Sequence, residues 1–543
     1  MHELLPQLRR LLQPDADQAD RPLGDPSALA QSLAAAAEEQ ELTPVIRDLV
    51  GQLRLVQEPL SPSQQRVLDA FLQTLVRQRM QALHQQRVRS WSREEIEQFR
   101  LLYELLQQRR GPAHWTLALL ATDPAPAALR AFAELVSSRG PEEPRACDLA
   151  FMPLFLHRPG TAHQELFPRL LDLLGQRAMA GCILDLANFF TRQGIVQQHP
   201  GRKRLSALVA LYRGLVNHLE DLETSPQKYA RDAGELKRLL DECVPLVVSL
   251  TDALALAQAE EALPLLRRAL ELSHRRVQAE AAAALARLGQ EEGFQALGRL
   301  LQHPGTRRRA AAYLKELGQA QRIPPELNSP VALAEAHLAE HLADPHQVGM
   351  APGKLRLLDQ RKLFWPGFHE PQPCYLFEYQ YELPSREFTG VGMAGPVVHS
   401  FFVDLHDLPP RDIYAAYAGW SVEDASMSET PREQFSAEQW EQAQLAQQQL
   451  LEQGLADVQV VKLGSFYGQP VAVAVARRSG QLGTAVWDGR QLLWFPATRR
   501  TRSLGPDEAW YIYKGRRLLD AFNGPGWWEQ DGPEEEASPQ TSP

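Results

Sequence analysis

The chain has 543 residues, 44% hydrophobic and 23% charged, with a formal net charge of −10. That length exceeds what one core supports and implies about two to four domains. The acidic balance argues against a dedicated nucleic-acid binder. No run of about 18 apolar residues exists to span a membrane.

The start Met1-His2-Glu3-Leu4-Leu5-Pro6 lacks a basic stretch followed by an apolar one, so the expectation is no secretory signal and a cytoplasmic location. Cys147, Cys182, Cys243 and Cys374 show no CxxC spacing and read as small buried residues, not as a disulfide framework or zinc site. Residues 1–350 carry 40 Lys+Arg and 42 Asp+Glu, whereas 351–543 carry 17 and 25, and eight of the ten tryptophans follow residue 360. The first stretch has helical spacing throughout; the second is aromatic and β-branched with period-2 alternation. The expected division is an N-terminal helical region 1–111, an α-solenoid 112–344, a linker 345–353, an α+β domain 354–528 and a disordered acidic tail 529–543.

In chain order, the spacing predicts a short amphipathic helix over 1–13 and a polar loop over 15–26. Helical pairs follow at 27–38 with 43–56, 62–87 with 93–109, 113–121 with 126–138, 163–177 with 180–194, and 204–222 with 229–250. Ser92-Arg93-Glu94-Glu95 predicts a capping box. A non-repetitive bundle would show the same pattern over these pairs, but residues 261–318 narrow the choice. There Ala281-Ala282-Ala283-Ala284-Leu285-Ala286-Arg287-Leu288-Gly289 returns as Ala310-Ala311-Ala312-Tyr313-Leu314-Lys315-Glu316-Leu317-Gly318, 29 residues later. Each copy follows a second amphipathic run, with Leu265, Leu266, Ala269 and Leu270 in one and Leu297, Leu300 and Leu301 in the other. One such hairpin cannot bury its apolar face alone, and stacking hairpins does so.

The stretch resembles the HEAT family, in particular the short HEAT-like repeats first known from phycobilin lyases. Val277-x-x-x-Ala281-x-x-Ala284-Leu285-x-x-Leu288-Gly289 matches that family's second helix. The resemblance implies an α-solenoid and no particular activity.

Beyond the linker, Tyr375–Leu383 alternates as a strand with one wet face, and Val397–His406 reads as a second strand. A helix is expected over Ser436–Gln453, then strands at Val458–Leu463, Pro470–Arg477, Gly483–Trp487 and Gln491–Phe495, with turns at Ser479-Gly480 and Asp488-Gly489. The fold class is therefore mainly α: a solenoid of HEAT-like hairpins, then a smaller α+β domain with a largely antiparallel sheet. Trp487, Trp494 and Trp510 fall in strand-like runs, and Trp527-Trp528 reads as a lid packed back on the sheet or as an exposed anchor.

His337-Leu338-Ala339-Glu340-His341 fits the H-x-x-E-H zinc signature, since i and i+4 histidines share a helical face; the alternative is a solvated surface helix. Gly390-Val391-Gly392-Met393-Ala394-Gly395 fits dinucleotide and kinase glycine patterns, but it leads into a predicted strand and reads as a flexible hairpin connection. Asp404 and His406 would share one strand face with His399 on the other and Asp407 nearby, either a metal site or an ordinary strand end. No residue is assigned a catalytic, metal-binding or cofactor-binding role.

The binding residues are Arg275, Arg276, Arg307 and Arg308, at the turn and first turn of the two equivalent second helices, which line the concave surface in the HEAT family. They would form a rim for an acidic peptide or phosphates. In many repeats the arginine at the Arg307 position is instead structural, joined to a neighbour through a carboxylate. The expected function is a protein-interaction scaffold or adaptor with a protein or acidic-peptide partner, no nucleic acid and no membrane. The rival is an enzyme or accessory, lyase- or chaperone-like by the resemblance, or a metal-dependent hydrolase in the C-terminal domain.

Overall fold

The computed structural model describes residues 42–85, 87–157, 166–344, 346–383, 386–497, 504–524 and 527. The expected helices at 1–13 and 27–38, the acidic tail and Trp528 lie outside the described residues. The chain divides into two compact units, Met1–Ala296 and Leu297–Pro543.

The first unit is helical: α1 Leu42–Leu55, α2 Pro62–His84, α3 Arg93–Gln108, α4 His114–Ala121, α5 Pro126–Arg139, α6 Pro144–Phe151, a short α7 Phe167–Leu170, α8 Arg177–Arg192, α9 Leu205–Thr224, α10 Ala233–Leu256, α11 Leu263–Glu271 and α12 Arg275–Arg287. The Ser92 capping box is present. Ser92 Oγ accepts from Glu95 N–H at 3.2 Å and Glu95 Oε2 accepts from Ser92 N–H at 2.7 Å. Ser61 and Gln64 build a second one at the start of α2. The expected single helix over 163–177 is instead α7, one 3₁₀ turn and the start of α8. Pro168, in the first turn of α7, starts a helix there because its missing N–H costs nothing at that place.

Helix α9 packs on α10, α11 on α12, α9 on α11 and α10 on α12. Each helix therefore meets its hairpin partner and the matching helix of the next hairpin, the two-layer order of a solenoid. In α12 Val277 and every residue from Ala279 to Ala286 are buried, which the small alanines permit by letting neighbouring backbones approach. The helix ends on Gly289 at φ +76°, with Gly289 N–H to Ala286 O at 3.0 Å and Gln290 N–H to Leu285 O at 2.9 Å. That is a Schellman cap, and it explains the glycine of the repeat.

Helix α13, Glu291–Leu300, contains the division between the units. The second unit continues with α14 Pro304–Glu316 and α15 Pro330–Ala343. Gly318, at φ +70°, repeats the cap, with Gln319 N–H to Leu314 O at 2.7 Å. The expected linker is tied at both ends here: Gly349 N–H bonds Leu342 O at 3.1 Å, Gly353 N–H bonds Gln380 O at 3.0 Å, and Tyr381 Oη donates to Met350 O at 2.8 Å.

The strands are β1 Lys354–Phe364, β2 Pro371–Leu383, β3 Arg386–Ala394, β4 His399–Ser400, β5 Met427–Pro431, β6 Ala456–Phe466, β7 Gln469–Arg478, β8 Gln481–Trp487 and β9 Leu492–Pro496; the helices are α16 Pro410–Ser421, α17 Ala437–Glu452 and α18 Pro506–Asn523. They form two antiparallel meanders, β1-β2-β3-β4 and β5-β6-β7-β8-β9. Tyr375, Phe377, Tyr379 and Tyr381 on one face of β2 pack against Ala334, Leu338 and Leu342 of α15. The opposite face, Cys374 and Leu376, packs on α16 and α18. That face is covered at Cys374 and Leu376 and half-exposed further on at Glu378 and Gln380, so the wet face expected is present only in part. Val471, Val473 and Val486 of the second sheet meet the same two helices, while Ala472, Ala474 and Ala485 meet Ala443, Ala446 and Leu450 of α17. The order is thus α15, first sheet, α16 with α18, second sheet, α17.

These layers are two copies of one unit, α-β-β-β-β-α, written in tandem. Leu408-Pro409-Pro410-Arg411-Asp412-Ile413-Tyr414-Ala415-Ala416-Tyr417-Ala418-Gly419 reappears 96 residues on as Leu504-Gly505-Pro506-Asp507-Glu508-Ala509-Trp510-Tyr511-Ile512-Tyr513-Lys514-Gly515. Gln372-Pro373-Cys374-Tyr375-Leu376-Phe377 of β2 matches Gln469-Pro470-Val471-Ala472-Val473-Ala474 of β7, with the same residues facing the central helices. Serines 329 and 436 cap α15 and α17. Contacts across α16 and α18 are reciprocal. A Cβ on Gly515 would collide with the Ala415 carbonyl, and one on Gly419 with that of Tyr511, each partner being the other's counterpart. A pseudo-two-fold axis therefore passes between the two helices, whose backbones touch where each has a glycine.

Candidate functional site

Arg275 and Arg276 stand exposed in the first turn of α12, after the N-cap His274, which makes no side-chain cap bond. Arg275 Nη1 donates to Gln278 Oε1 at 2.9 Å, and among the described residues neither arginine forms an ion pair. Cations at a helix N-terminus face the positive end of its dipole, so this placement costs stability. Burial first, then Arg276, pushes the pKa of His274 down, and its Nδ1 is buried with no hydrogen-bond partner among the described residues.

Arg307 and Arg308 differ sharply from each other. Arg307 is 4% exposed; its Nε donates to Leu301 O at 3.0 Å, and its Nη1 to Ala332 O at 2.9 Å and to Glu335. It takes the structural alternative and joins α14 to α15. Arg308 is exposed and pairs with Glu340 at 2.8 Å.

That pair engages the carboxylate of H-x-x-E-H. Burial raises the Glu340 pKa against the pull of Arg308 and Arg309, and burial lowers those of His337 and His341. The His341 ring lies 5.9 Å from His399, which stacks on Trp420 at 3.8 Å. The expected strand Val397–His406 is cut to His399–Ser400. Beyond it Asp404 Oδ1 accepts from His406 N–H at 3.0 Å, closing a turn, and His406 Nε2 pairs with Glu378, which also binds Arg356. Asp404 and His406 therefore do not share a strand face with a common ligand position. Among the described residues no group of three or more His, Cys, Asp or Glu is placed to hold a metal.

Gly390 and Gly392 are strand, not a flexible loop, and only Gly395 lies in the turn that follows. Gly390 and Gly392 pair with Tyr379 and Phe377 in β3–β2. A Cβ on Gly392 would come within 2.8 Å of Leu338, so the glycine makes room for α15. Of the cysteines, Cys147, Cys243 and Cys374 are buried and Cys182 half-buried. The fold brings Cys182 into hydrogen-bonding contact with Cys147, lowering the Cys147 pKa, and Cys182 Sγ donates to Asp148 at 3.1 Å. Trp510 sits in α18, not in a strand, because its neighbours Ala509, Ile512 and Tyr513 make that helix apolar on several sides. Trp527 is packed back, as the lid reading expected: it is 5% exposed and its Nε1 donates to Asp520 at 2.8 Å.

One site carries no sequence motif. Val422, Glu423, Asp424, Ala425, Met427 and Glu429 line a cleft of about 370 Å³ with Trp510 and Lys514 of α18. Lys514 is 8% exposed, donates Nζ to Val422 O at 2.9 Å, and has its pKa lowered by burial, with Glu429 and Glu423 opposing and Lys462 adding. Burial also works against the charge of Lys462, but bonds of 2.6 Å to Asp507 and to Glu429 outweigh it and raise its pKa. These groups come from α16's exit, β5, β6 and α18, so only folding assembles them.

Comparison with protein families bears on the helical part. Residues 239–315 match the family model for HEAT repeats. This segment is a run of HEAT repeats. Curated proteins yield no match to the chain. No described helix is long and apolar enough to cross a membrane.

One pH effect follows from the histidines. His199 Nδ1 accepts from Gly201 N–H at 3.1 Å, so Nε2 carries the proton and donates to Asn188 Oδ1 at 3.0 Å. Burial pushes its pKa down to about 4, and His399 also stands at about 4 through burial and then His341. An imidazole with a depressed pKa binds fewer protons folded than unfolded. Its contribution is complete above the unfolded value of 6.5 and is lost as pH falls from there to about 4. For the buried His199 the loss reaches about 3 kcal/mol. The urea midpoint is expected to fall across that window, less steeply in His199→Gln; an equal slope in both proteins contradicts the assignment.

Proposed function

We propose that this protein is a protein-interaction scaffold whose HEAT-repeat segment takes an acidic partner. The observation that carries the reading is the pair Arg275 and Arg276, exposed and without ion pairs among the described residues, at the N-terminus of α12 where the dipole makes them costly. A carboxylate or phosphoryl group there meets two guanidiniums and uncapped first-turn amides, and the opposing charges become an attraction. Arg308, in the second unit, is already paired with Glu340 and is not part of this pair. Arg307 does not belong to the surface. Repeats supply long binding faces without deep pockets, which suits segments of other proteins.

The experiment is fluorescence anisotropy of a labelled Glu- and phosphoserine-rich peptide against the full chain and Arg275→Glu/Arg276→Glu. Two charge-assisted contacts predict a loss of affinity of about 100-fold or more. The helical circular dichroism should not change, and wild-type binding should weaken steeply with salt. Equal affinity in both proteins, or salt-independent binding, defeats the reading.

A further inference from the structure

The two sheets of the second unit differ at one edge. In the second sheet β5 covers the outer side of β6, with Met427 opposite Phe466 and Thr430 opposite Leu463, and Ser426 O accepts from Tyr467 N–H at 3.0 Å just before that strand begins. In the first sheet the strand order ends at β1, and among the described residues no strand lies beyond it. The pairings put β1 and β6 in register with each other. Leu363 stands opposite Gln372 as Phe466 stands opposite Gln469, so Leu363 matches Phe466, Arg361 matches Gly464 and Asp359 matches Lys462. The irregularities agree as well, between Leu357 and Asp359 in β1 and between Val460 and Lys462 in β6. The stretch Asp359–Leu363 is therefore the counterpart of the stretch of β6 that carries β5.

Phe364, the counterpart of Tyr467, shows where the outer backbone groups point. Its N–H donates to Asn523 Oδ1 at 2.8 Å and its carbonyl accepts from Asn523 Nδ2 at 3.1 Å. One side-chain amide thus supplies a single rung at the end where β5 begins on the other sheet. Backbone direction alternates along an antiparallel strand, so Lys362 and Gln360 turn their N–H and C=O to the same outer side. Both residues are exposed. On the core side of this edge Trp527 already packs in one cluster with Leu363, its carbonyl accepting from Arg361 at 3.5 Å. An incoming strand would therefore add hydrogen bonds and charge rather than apolar cover. The charge it must carry is set by β1, whose exposed charged residues, Lys354, Arg356 and Lys362, are all cations. Its one acid, Asp359, is bound to Arg361 at 2.7 Å. Arg356 meets Glu378, whereas among the described residues Lys362 forms no ion pair.

We propose that β1 takes an extended acidic segment of a partner protein as an added antiparallel strand along Asp359–Leu363, in the place that β5 fills on the other sheet. In such an addition the main-chain bonds supply affinity and the alternating side chains supply selectivity. An edge whose exposed charges are all positive disfavours pairing with a second copy of itself and selects carboxylates. The proposal concerns the second unit alone and does not rest on the reading of the HEAT segment.

The test uses the full chain carrying Arg275→Glu and Arg276→Glu, which removes the other acidic-peptide site. Labelled peptides of about six residues, an ordinary strand length, alternate threonine with glutamate or threonine with lysine and are titrated by fluorescence anisotropy. The glutamate peptide should bind at least about tenfold tighter than the lysine peptide. Backbone N-methylation along one edge of the glutamate peptide should abolish binding and along its other edge should not, because strand addition uses one edge only. At saturation, amide exchange at Gln360 and Lys362 should slow about tenfold or more. Lys362→Pro, which removes an outward N–H, should abolish binding, and Lys362→Glu, which keeps the backbone donor, should weaken it about tenfold or more. Absence of saturation, equal binding of the two peptides, equal effects of the two methylation patterns, or indifference to both Lys362 substitutions overturns the proposal. Binding that appears only after Glu534, Glu535 and Glu536 are changed to glutamine assigns the edge to the chain's own tail. A dimer that Lys362→Pro converts to a monomer assigns it to a second copy, and either result overturns the proposal too.

Discussion

Gly515→Ala is expected to cost the second unit about 4 kcal/mol or more, enough to remove most of the stability of an ordinary domain. The added Cβ would land on the Ala415 carbonyl oxygen, and it would also lie 2.9 Å from Ala415 Cα, so the conflict is with backbone and no rotamer relieves it. Relief requires α16 and α18 to separate. Each is clamped between two sheets, so separation opens gaps against Leu376 and Val391 on one side and Val473 and Val486 on the other. The Asp412–Arg516 ion pair, two bonds of 2.7 Å that also tie α16 to α18, would be stretched at the same time. Urea denaturation followed by tryptophan fluorescence measures the effect, because seven described tryptophans lie after residue 364 outside the helical unit and Trp510 sits in α18 itself. Gly214→Ala serves as the opposite control. Gly214 is an exposed mid-helix glycine of α9 with open space around its Cβ position, so alanine should stabilise by roughly 0.5–1 kcal/mol. An unchanged urea midpoint for Gly515→Ala would show that the helices do not meet backbone to backbone.

The same crossing explains what was hard to read in the sequence. Ile413 to Gly419 are all buried, so α16 shows no polar stripe and no 3.6-residue period. With Tyr414, Tyr417 and Trp420 it resembles strand material, and Trp510 misled in the same way in α18. Strand β1 failed for the opposite reason: an edge strand with mostly exposed or half-exposed residues, its polar run Asp359-Gln360-Arg361-Lys362 carries no apolar alternation. The repeat segment was legible because Gly289 and Gly318 close identical caps and the alanines between them report close packing directly. Strands β6 to β9 were legible because alternation and the turns at Gly480 and Gly489 agree with each other. The glycines of β3 looked like a loop because the residue that demands them, Leu338, lies about fifty positions away. The cleft has the same property: Lys514, Lys462 and Glu429 come from separate elements and share no local spacing.

Arginine roles in the repeats were open in the sequence, and stability measurements on single substitutions separate them. Arg307→Ala is expected to cost about 3–5 kcal/mol, and Arg308→Ala at most about 1 kcal/mol. The difference does not lie in the charge, which is the same, but in what each side chain leaves behind. Removing Arg307 strips the hydrogen bonds from Leu301 O and Ala332 O in a buried place and leaves Glu335, whose side chain is 23% exposed, without its cation. Removing Arg308 leaves Glu340 half-buried, but Arg309 stays beside it and water reaches it in part, so the lost partner is largely replaced. Arg307→Lys should recover only part of the loss, because one ammonium cannot reach along the Leu301, Ala332 and Glu335 directions in which the guanidinium fork points. Arg307→Met with Glu335→Leu should recover more than either single change, since the pair then disappears together with its desolvation cost. Thermal and urea unfolding of the wild type, these variants and the two single changes of the pair reads the result. If Arg307→Ala unfolds at the wild-type midpoint and instead loses the acidic-peptide binding assigned to Arg275 and Arg276, Arg307 is a binding residue and not a strut between α14 and α15.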